Sequence, residues 1–298
     1  MTRIGIDLGG TKIAAVVLDE RGVRWDARVA TPREDYQGTL DAIARLVAEG
    51  ERAAAAPCTV GIGIPGTMSP ATGVIKNSNS TWLNGRDLRA DLERTLARPV
   101  RLANDANCLA VSEATDGAGA GADVVFGVIL GTGTGGGLVA HGKLIVGHNA
   151  VAGEWGHNPL PWPETDERPG PPCYCGRCGC IETFLSGPAI AADYARRGGE
   201  AVRSEDVVSR AEAGDALARE TLAVWLARLA KSLATIINVV DPDVIVVGGG
   251  LSRLARIYET VPQLWTPWVF SDVVTTKLVP ARHGDASGVR GAAWLWND

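Results

Sequence analysis

Asp7-Leu8-Gly9-Gly10-Thr11-Lys12 is the stretch from which the fold of this chain is read. Arg3-Ile4-Gly5-Ile6-Asp7 before it and Ile13-Ala14-Ala15-Val16-Val17-Leu18 after it both have strand character, so the pair predicts a β-hairpin closed at Gly9-Gly10. Phosphate oxygens need backbone N–H groups turned inward, and only glycine lets the chain wrap that closely without a clashing Cβ. Thr11 adds a hydroxyl and Lys12 a cation, although the GxxxxGK[ST] spacing of a Walker A loop is absent. Asp7, Gly9, Gly10, Thr11 and Lys12 are candidate nucleotide contacts, with an ordinary glycine hairpin as the competing reading.

The same design recurs further along. A strand over 123–130 enters the glycine run Gly131-Thr132-Gly133-Thr134-Gly135-Gly136-Gly137, and a second strand starts at Leu138. A buried strand over 243–247 empties into Gly248-Gly249-Gly250. The repetition favours phosphate binding and adds Gly131, Thr132, Gly133, Thr134, Gly249 and Gly250 to the nucleotide candidates. Between the two halves, periodicity predicts a strand over 23–30, a helix over 39–55, a strand over 59–64, a helix over 86–97, a short strand over 99–103 and a helix to 116. A loop over 159–172, rich in proline, and a long amphipathic helix over 214–240 follow. The expected organisation is a duplicated α/β chain with nucleotide in an interlobe cleft. Its small lobe covers 1–116, its large lobe 117–285, and a last helix over 286–298 packs back on the small lobe.

Composition narrows the function. A chain of 298 residues exceeds what one core usually supports, and 46% hydrophobic with 21% charged residues is the balance of a globular protein. Twenty-nine basic against 34 acidic residues give a net charge of −5, which offers no general attraction for nucleic acid or anionic lipid. No signal peptide is read at the start and no membrane span later, so a cytoplasmic protein is expected.

Transfer of a phosphoryl group to an alcohol needs a base aligned on the hydroxyl. Asp105, behind Asn104 at a strand-to-helix junction, suits that role and equally suits capping of the helix. Gly153-Glu154-Trp155-Gly156-His157 sets a carboxylate and an imidazole three residues apart, and Glu154 and Glu182 could each accept a pair of sugar hydroxyls. Cys173, Cys175, Cys178 and Cys180 crowd too closely for good disulfide geometry and suit a metal, with His157 as a nitrogen ligand. Five candidates compete for four places, and spacing does not say which is spare. A closed tetrahedron would be structural, tying the His157 segment to the Glu182 segment. Cys58 and Cys108 read as core residues, Asp285 as a cap or hinge contact, and His141 and His148 as surface residues.

These motifs together resemble the bacterial sugar kinases of the ROK family, from end to end. Ile4 to Lys12, Leu102-Ala103-Asn104-Asp105-Ala106-Asn107, Gly131-Thr132-Gly133, Gly153 to His157 and the cysteine knuckle carry the resemblance. It implies a two-lobed, actin-like (ribonuclease H-like) α/β fold, ATP with catalytic Mg²⁺, and Asp105 as general base. It also implies sugar contacts from Gly66, Asn79, Asn104, Asp105, Glu154, His157 and Glu182. The family's His then Cys-x-Cys-Gly-x-x-Gly-Cys pattern maps onto His157, Cys173, Cys175 and Cys180 as ligands of a structural Zn²⁺, leaving Cys178 spare. Homodimers are common in the family. Within it, the segments 77–85, 154–162 and 287–296 look most like the fructokinase type that also accepts mannose, with N-acetylglucosamine, N-acetylmannosamine and glucose kinases as alternatives. The family also holds sugar-sensing regulators with a helix-turn-helix segment ahead of the first strand, and only Met1 to Arg3 stand there.

Overall fold

The computed structural model describes residues 1–296; the last two residues of the helix expected over 286–298 lie outside them. In chain order the elements begin with β1 (Arg3–Leu8), β2 (Lys12–Asp19), β3 (Gly22–Ala30), α1 (Tyr36–Ala54), β4 (Thr59–Ile64), β5 (Thr67–Met68), β6 (Ile75–Lys76), α2 (Leu88–Leu96), β7 (Val100–Asn104) and α3 (Asp105–Thr115). There follow β8 (Val124–Leu130), β9 (Thr134–Ala140), β10 (Lys143–Ile145), α4 (Glu182–Leu185), α5 (Gly187–Arg196), α6 (Ser204–Glu212), α7 (Ala216–Val240), β11 (Val244–Gly248), α8 (Ala255–Leu264), β12 (Lys277–Pro280) and α9 (Ser287–Trp294).

Two compact units divide the chain. One takes Met1–Gly121, Gly137–Ala152 and the segment from Arg282; the other takes Ala122–Gly136 and Gly153–Ala281. The first therefore includes Gly137–Ala152, a segment that the sequence reading assigned to the large lobe.

In the first unit the sheet order is β3-β2-β1-β4-β7. The expected hairpin forms, with Leu8 opposite Ile13, while β4 and β7 run parallel to β1. This mixed order is the ribonuclease H-like pattern. Helix α1 starts where the Asp35 carboxylate accepts the Gly38 N–H at 2.9 Å, filling one of the orphan donors of a helix start. Its Leu40, Ile43, Leu46 and Val47 recur at helical spacing and bury against Ile4, Ile6, Val17 and Ile62 of the sheet. Each such side chain contributes roughly 1.5–3 kcal/mol through burial.

The opposite sheet face is covered by α9, and glycine sets the distance. A Cβ on Gly5 would lie 2.0 Å from the Val289 carbonyl oxygen, one on Gly61 1.9 Å from that of Ala292, and one on Gly291 1.6 Å from that of Cys108 in α3. Helix α9 is thus clasped between the sheet and α3 at backbone contact. Glu113, buried in α3, accepts the Arg282 and His283 N–H groups and the Ser287 hydroxyl, which fixes where α9 begins.

The second unit carries a sheet in the order β9-β8-β11-β12, in which β8, β11 and β12 are parallel. The far half of β9 pairs antiparallel with β10 in the first unit. The glycine run is shorter as a turn than the sequence suggests, because β9 already starts at Thr134. Gly136 lies within that strand since its missing side chain leaves room for Trp155, whose ring would sit 2.8 Å from a Cβ.

Helix α7 is long and apolar enough by length and composition to cross a bilayer, although the sequence reading found no such span. Leu222, Trp225, Leu226, Leu229, Leu233 and Ile237 bury it in the core of the unit instead. Its Arg228, with a side chain 5% exposed, donates to Glu167 at 2.6 Å and to Asp193 at 2.8 Å. Lys231 donates to Glu164 at 2.7 Å and to the Trp162 carbonyl at 2.9 Å. The proline-rich segment is thereby moored to α7 by two cations. Helices α5, α6 and α8 and strands β10 and β12 were not resolved as elements in the sequence reading.

Substituting Gly291→Ala is expected to cost about 3 kcal/mol or more, since no rotamer change can relieve a Cβ set against backbone. Chemical denaturation of the variant beside the parent checks this. A loss below about 1 kcal/mol would contradict the packing described for α9.

Candidate active site and metal centre

In the first unit β7 ends at Asn104 and α3 begins at Asp105. Asn104, not Asp105, is the cap: its Oδ1 accepts the Ala106 N–H at 2.9 Å, while its Nδ2 donates to the Gly66 carbonyl at 3.2 Å. The Asp105 carboxylate also accepts from the Ala106 N–H, at 2.8 Å. Two of the expected sugar contacts, Gly66 and Asn104, are therefore joined directly. Asn79 is exposed between buried Ser78 and Ser80. Its loop is held by Asn84, whose amide accepts the Ser78 N–H at 3.0 Å and donates to the Ser78 carbonyl at 2.9 Å.

The glycine turn closes with the Gly9 N–H donating to the Lys12 carbonyl at 3.0 Å. Thr31 pins it from β3's end, its hydroxyl donating to the Gly9 carbonyl at 2.7 Å and its N–H to the Thr11 carbonyl at 3.1 Å. Thr11 and Lys12 are exposed. Ser80 packs beside the turn, its Oγ 3.5 Å from where a Cβ on Gly10 would be.

Asp7 sits at the end of β1. Burial pushes its carboxyl up to about 6, the negative charge of Asp105 adds to this, and Lys12 and Arg28 oppose it. Asp105 has exposed surface yet is closely ringed by protein atoms, as in a recess, and this crowding raises its carboxyl above the usual range against the pull of the Ala106 N–H and Asn104. Two carboxyls made reluctant to ionise fit a proton acceptor and a carboxylate that would welcome a cation. A hard dication such as Mg²⁺ suits Asp7, being oxygen-seeking and doubly charged. Beside Asn104 opens a cavity of about 450 Å³, lined in part by Ile64, Met68, Leu102, Arg89 and His148. His148, exposed as expected from sequence, is also on its wall.

In the second unit the Gly131 N–H donates to the Gly133 carbonyl at 3.0 Å, and the Gly131 carbonyl accepts the Gly187 N–H at 2.7 Å. Gly131, Thr132 and Gly250 line a cavity of about 880 Å³ with Gly187, Ser204 and Leu254. Gly133 and Thr134 do not line it; they meet Glu182 instead. The Glu182 carboxylate accepts the Thr134 N–H at 2.9 Å, and a Cβ on Gly133 would lie 2.7 Å from the same oxygen. Gly249 turns with φ +85° and lies against Leu130, whose carbonyl oxygen would be 2.4 Å from a Cβ. Glu154 is exposed at the N-terminal edge of the short 3₁₀ turn Trp155–His157.

His157, Cys173, Cys175 and Cys180 converge, with their ligand atoms all within 4.8 Å of one another. Cys173 Sγ lies 3.5 Å from His157 Nδ1, and Cys175 Sγ lies 3.5 Å from Cys180 Sγ. Those spacings are about the edge lengths of a tetrahedron with Zn–S near 2.3 Å and Zn–N near 2.0 Å. Cys178 is not among the four; it bridges to Pro172 through the backbone. Backbone bonds also join the two segments that the metal would tie. The Leu160 N–H donates to the Gly179 carbonyl and the Ile181 N–H to the Asn158 carbonyl, both at 2.9 Å.

Sequence reasoning missed Thr31, Asn84 and Gly187, which act through contacts with residues 20 or more positions away or through a loop without periodicity.

The family model described as ROK matches residues 3–298. An N-acetyl-D-glucosamine kinase of Citrobacter koseri is 42% identical over 296 residues, which is 98% of either chain. Among solved structures, a ROK hexokinase from Thermus thermophilus superposes with a TM-score of 0.87 at 32% identity, covering 98% of this chain and 97% of that one. A ROK glucokinase from Streptomyces griseus, solved with glucose and AMPPNP, gives 0.79 at 29% identity and covers 99% of each. The expected actin-like, ribonuclease H-like fold is thereby shown.

The raised Asp7 carboxyl predicts a pH-dependent stability. Its folded value of about 6 exceeds the ordinary 3.8, so its contribution is fully present below 3.8 and is lost as pH rises through 6. Asp7→Asn is expected to exceed the ligand-free parent by up to roughly 3 kcal/mol at pH 7, with the gap closing by about pH 4. Denaturant melts at the two pH values measure this, and a gap of the same size at both would contradict it.

Proposed function

The chain belongs to the ROK family, and we propose that it phosphorylates the 6-hydroxyl of N-acetyl-D-glucosamine with ATP. The observation that carries this reading is Asp105, set by the Asn104 cap at the first turn of α3 with its carboxyl raised by burial. The choice of sugar is supported by the 42% identity to an enzyme of that name over nearly the whole chain. The fructose reading of segments 77–85, 154–162 and 287–296 gives way to it, because those segments are only short stretches of the aligned length.

Asp105 accepts the proton of the attacking hydroxyl. Asn104, through Gly66, holds the start of α3 in place, and Asn79 presents its amide from a loop braced by Asn84. Gly66, Asn79, Asn104, Glu154, His157 and Glu182 are assigned to the sugar hydroxyls. Asp7, Gly9, Gly10, Thr11 and Lys12, with Gly131, Thr132, Gly133, Thr134, Gly249 and Gly250, are assigned to ATP, and Asp7 to its magnesium. Magnesium, when bound, neutralises charge developing on the phosphoryl oxygens. Backbone N–H groups of the glycine turns are fixed before the reaction and need no reorganisation when that charge develops. Zinc on His157, Cys173, Cys175 and Cys180 would have no open position, so its task is structural: it holds His157 and Glu182 to the precision that orientation demands. A homodimer and a cytoplasmic location accord with this reading.

Asp105→Asn keeps the shape of the side chain and removes the base. Turnover is expected to fall by 10²-fold or more while N-acetylglucosamine binding by calorimetry stays measurable; activity within tenfold of the parent refutes the assignment. Across N-acetylglucosamine, N-acetylmannosamine, glucose, mannose and fructose, kcat/KM is expected to be highest for the first, and a higher value for any other sugar corrects the substrate. Elemental analysis should return about one zinc per chain, and a protein still folded and active after complete zinc removal would contradict the brace.

A further inference from the structure

We propose that one apolar face of the second unit, centred on Phe270, is where a second copy of this chain binds. The face begins at the end of α7. That helix is buried on its core side as far as Ile237, yet two residues later Val239 is 84% exposed. Phe270 is fully exposed at 102%, Val273 is 62% exposed and Trp162 43%. Hydrogen bonds and ring contacts join these residues into one surface. The Asn238 side chain accepts the Phe270 N–H at 2.8 Å and donates to the Trp268 carbonyl at 2.9 Å, which seats 268–270 beside Val239. The Trp268 ring packs on that of Trp162, with centroids 4.9 Å apart. Beyond Phe270, the Ser271 hydroxyl donates to the Val273 carbonyl at 2.7 Å.

These side chains are held outward. No helix or strand runs through 269–276, so a loose segment there could turn Phe270 inward, and the Asn238 bracket prevents it. Trp162 adopts φ +46°, a costly conformation for a bulky side chain, and Lys231 holds it there by donating to its carbonyl at 2.9 Å. Area and charge both favour a second copy as the occupant. Val239, Phe270, Val273 and Trp162 leave roughly 500 Å² of mostly apolar surface open, which matches the apolar share, about 65%, of the roughly 800 Å² that a stable homodimer buries on each partner. At a net charge of −5 two copies repel each other, so they meet most easily where both are uncharged, and 265–271 contains no charged residue. Charges of both signs stand at its edges. Arg168 donates to the Pro163 carbonyl at 3.2 Å beside Trp162, while Asp272 adjoins Val273. A two-fold axis through the middle lays one end of the face on the other end of its copy, and so brings Arg168 toward Asp272 of the partner subunit. An anionic membrane is a poorer match, because Lys231 is spent on Glu164 and Trp162. Association here also clamps Trp162, in the middle of the segment that leads from His157 to Cys173.

No sugar enters the test, so its outcome is independent of the sugar-kinase reading above. Analytical ultracentrifugation of the full chain is expected to find a dimer at about 50 µM. Phe270→Asp should weaken association by about 100-fold or more and Val239→Asp by about tenfold or more, whereas Val23→Asp, at an exposed apolar residue of the first unit, should leave it unchanged. Circular dichroism identifies which variants are folded. Hydrogen exchange of the amides over 266–273 in the parent is a second readout, and it should slow as the chain concentration rises. A parent that stays monomeric at about 50 µM overturns the proposal, even if some other protein covers the face. So does a folded Phe270→Asp or Val239→Asp chain whose association is weakened by less than about threefold, or exchange over 266–273 that does not change with concentration.

Discussion

Backbone packed directly on backbone at three glycines is the constraint on which the first unit depends. With a Cβ at Gly5, Gly61 or Gly291, helix α9 could not reach β1, β4 and α3 together. These three elements are the ones that matter for chemistry, because Asp7 ends β1 and Asp105 starts α3. Helix α9 locks the strand that presents one carboxylate to the helix that presents the other. The buried Glu113 secures the same joint with charge-assisted hydrogen bonds to the start of α9, at the other end of α3 from Asp105. The spacing of Asp7 and Asp105 in this unit is a consequence of helix packing.

That packing also sets the electrostatics. Burial raises both carboxyls, and the charge of Asp105 adds to the rise at Asp7. A raised carboxyl suits the role of base proposed for Asp105, and the one on Asp7 suits a positively charged partner. Lys12 and Arg28 moderate the effect without cancelling it.

The second unit solves a different problem, which is to make a long irregular segment rigid. From Trp155 to Cys180 the chain has little regular structure, yet it carries His157 and leads into Glu182. It is held at its middle by Arg228 and Lys231 of α7 and at its ends by backbone pairing of 158–160 with 179–181. The Cys and His cluster adds a third restraint. Arg228 is a buried cation between two carboxylates, an arrangement that contributes geometry more than stability. Glu182 is then fixed by the Thr134 N–H, so the glycine turn that reads as phosphate-binding also holds a carboxylate assigned to the sugar.

The sequence by itself determined much of the strand pattern of both halves, the glycine turns, the crowding of His157 and four cysteines as candidate metal ligands, and the family, because each depends on residues close together in the chain or on local periodicity. Asp105 was legible as a candidate, but its alternative role as a cap was open until Asn104 was seen to do the capping. Tertiary structure alone decided which glycines turn and which make room: Gly133 and Gly136 are small for the sake of Glu182 and Trp155, and no local pattern encodes a neighbour 20 or 50 residues away. It likewise decided that α7 lies in a core, that Thr31 pins the first turn, and that the carboxyls of Asp7 and Asp105 are raised. Charge and packing act through space, whereas propensity acts along the chain, and the chemistry of this protein rests on the former.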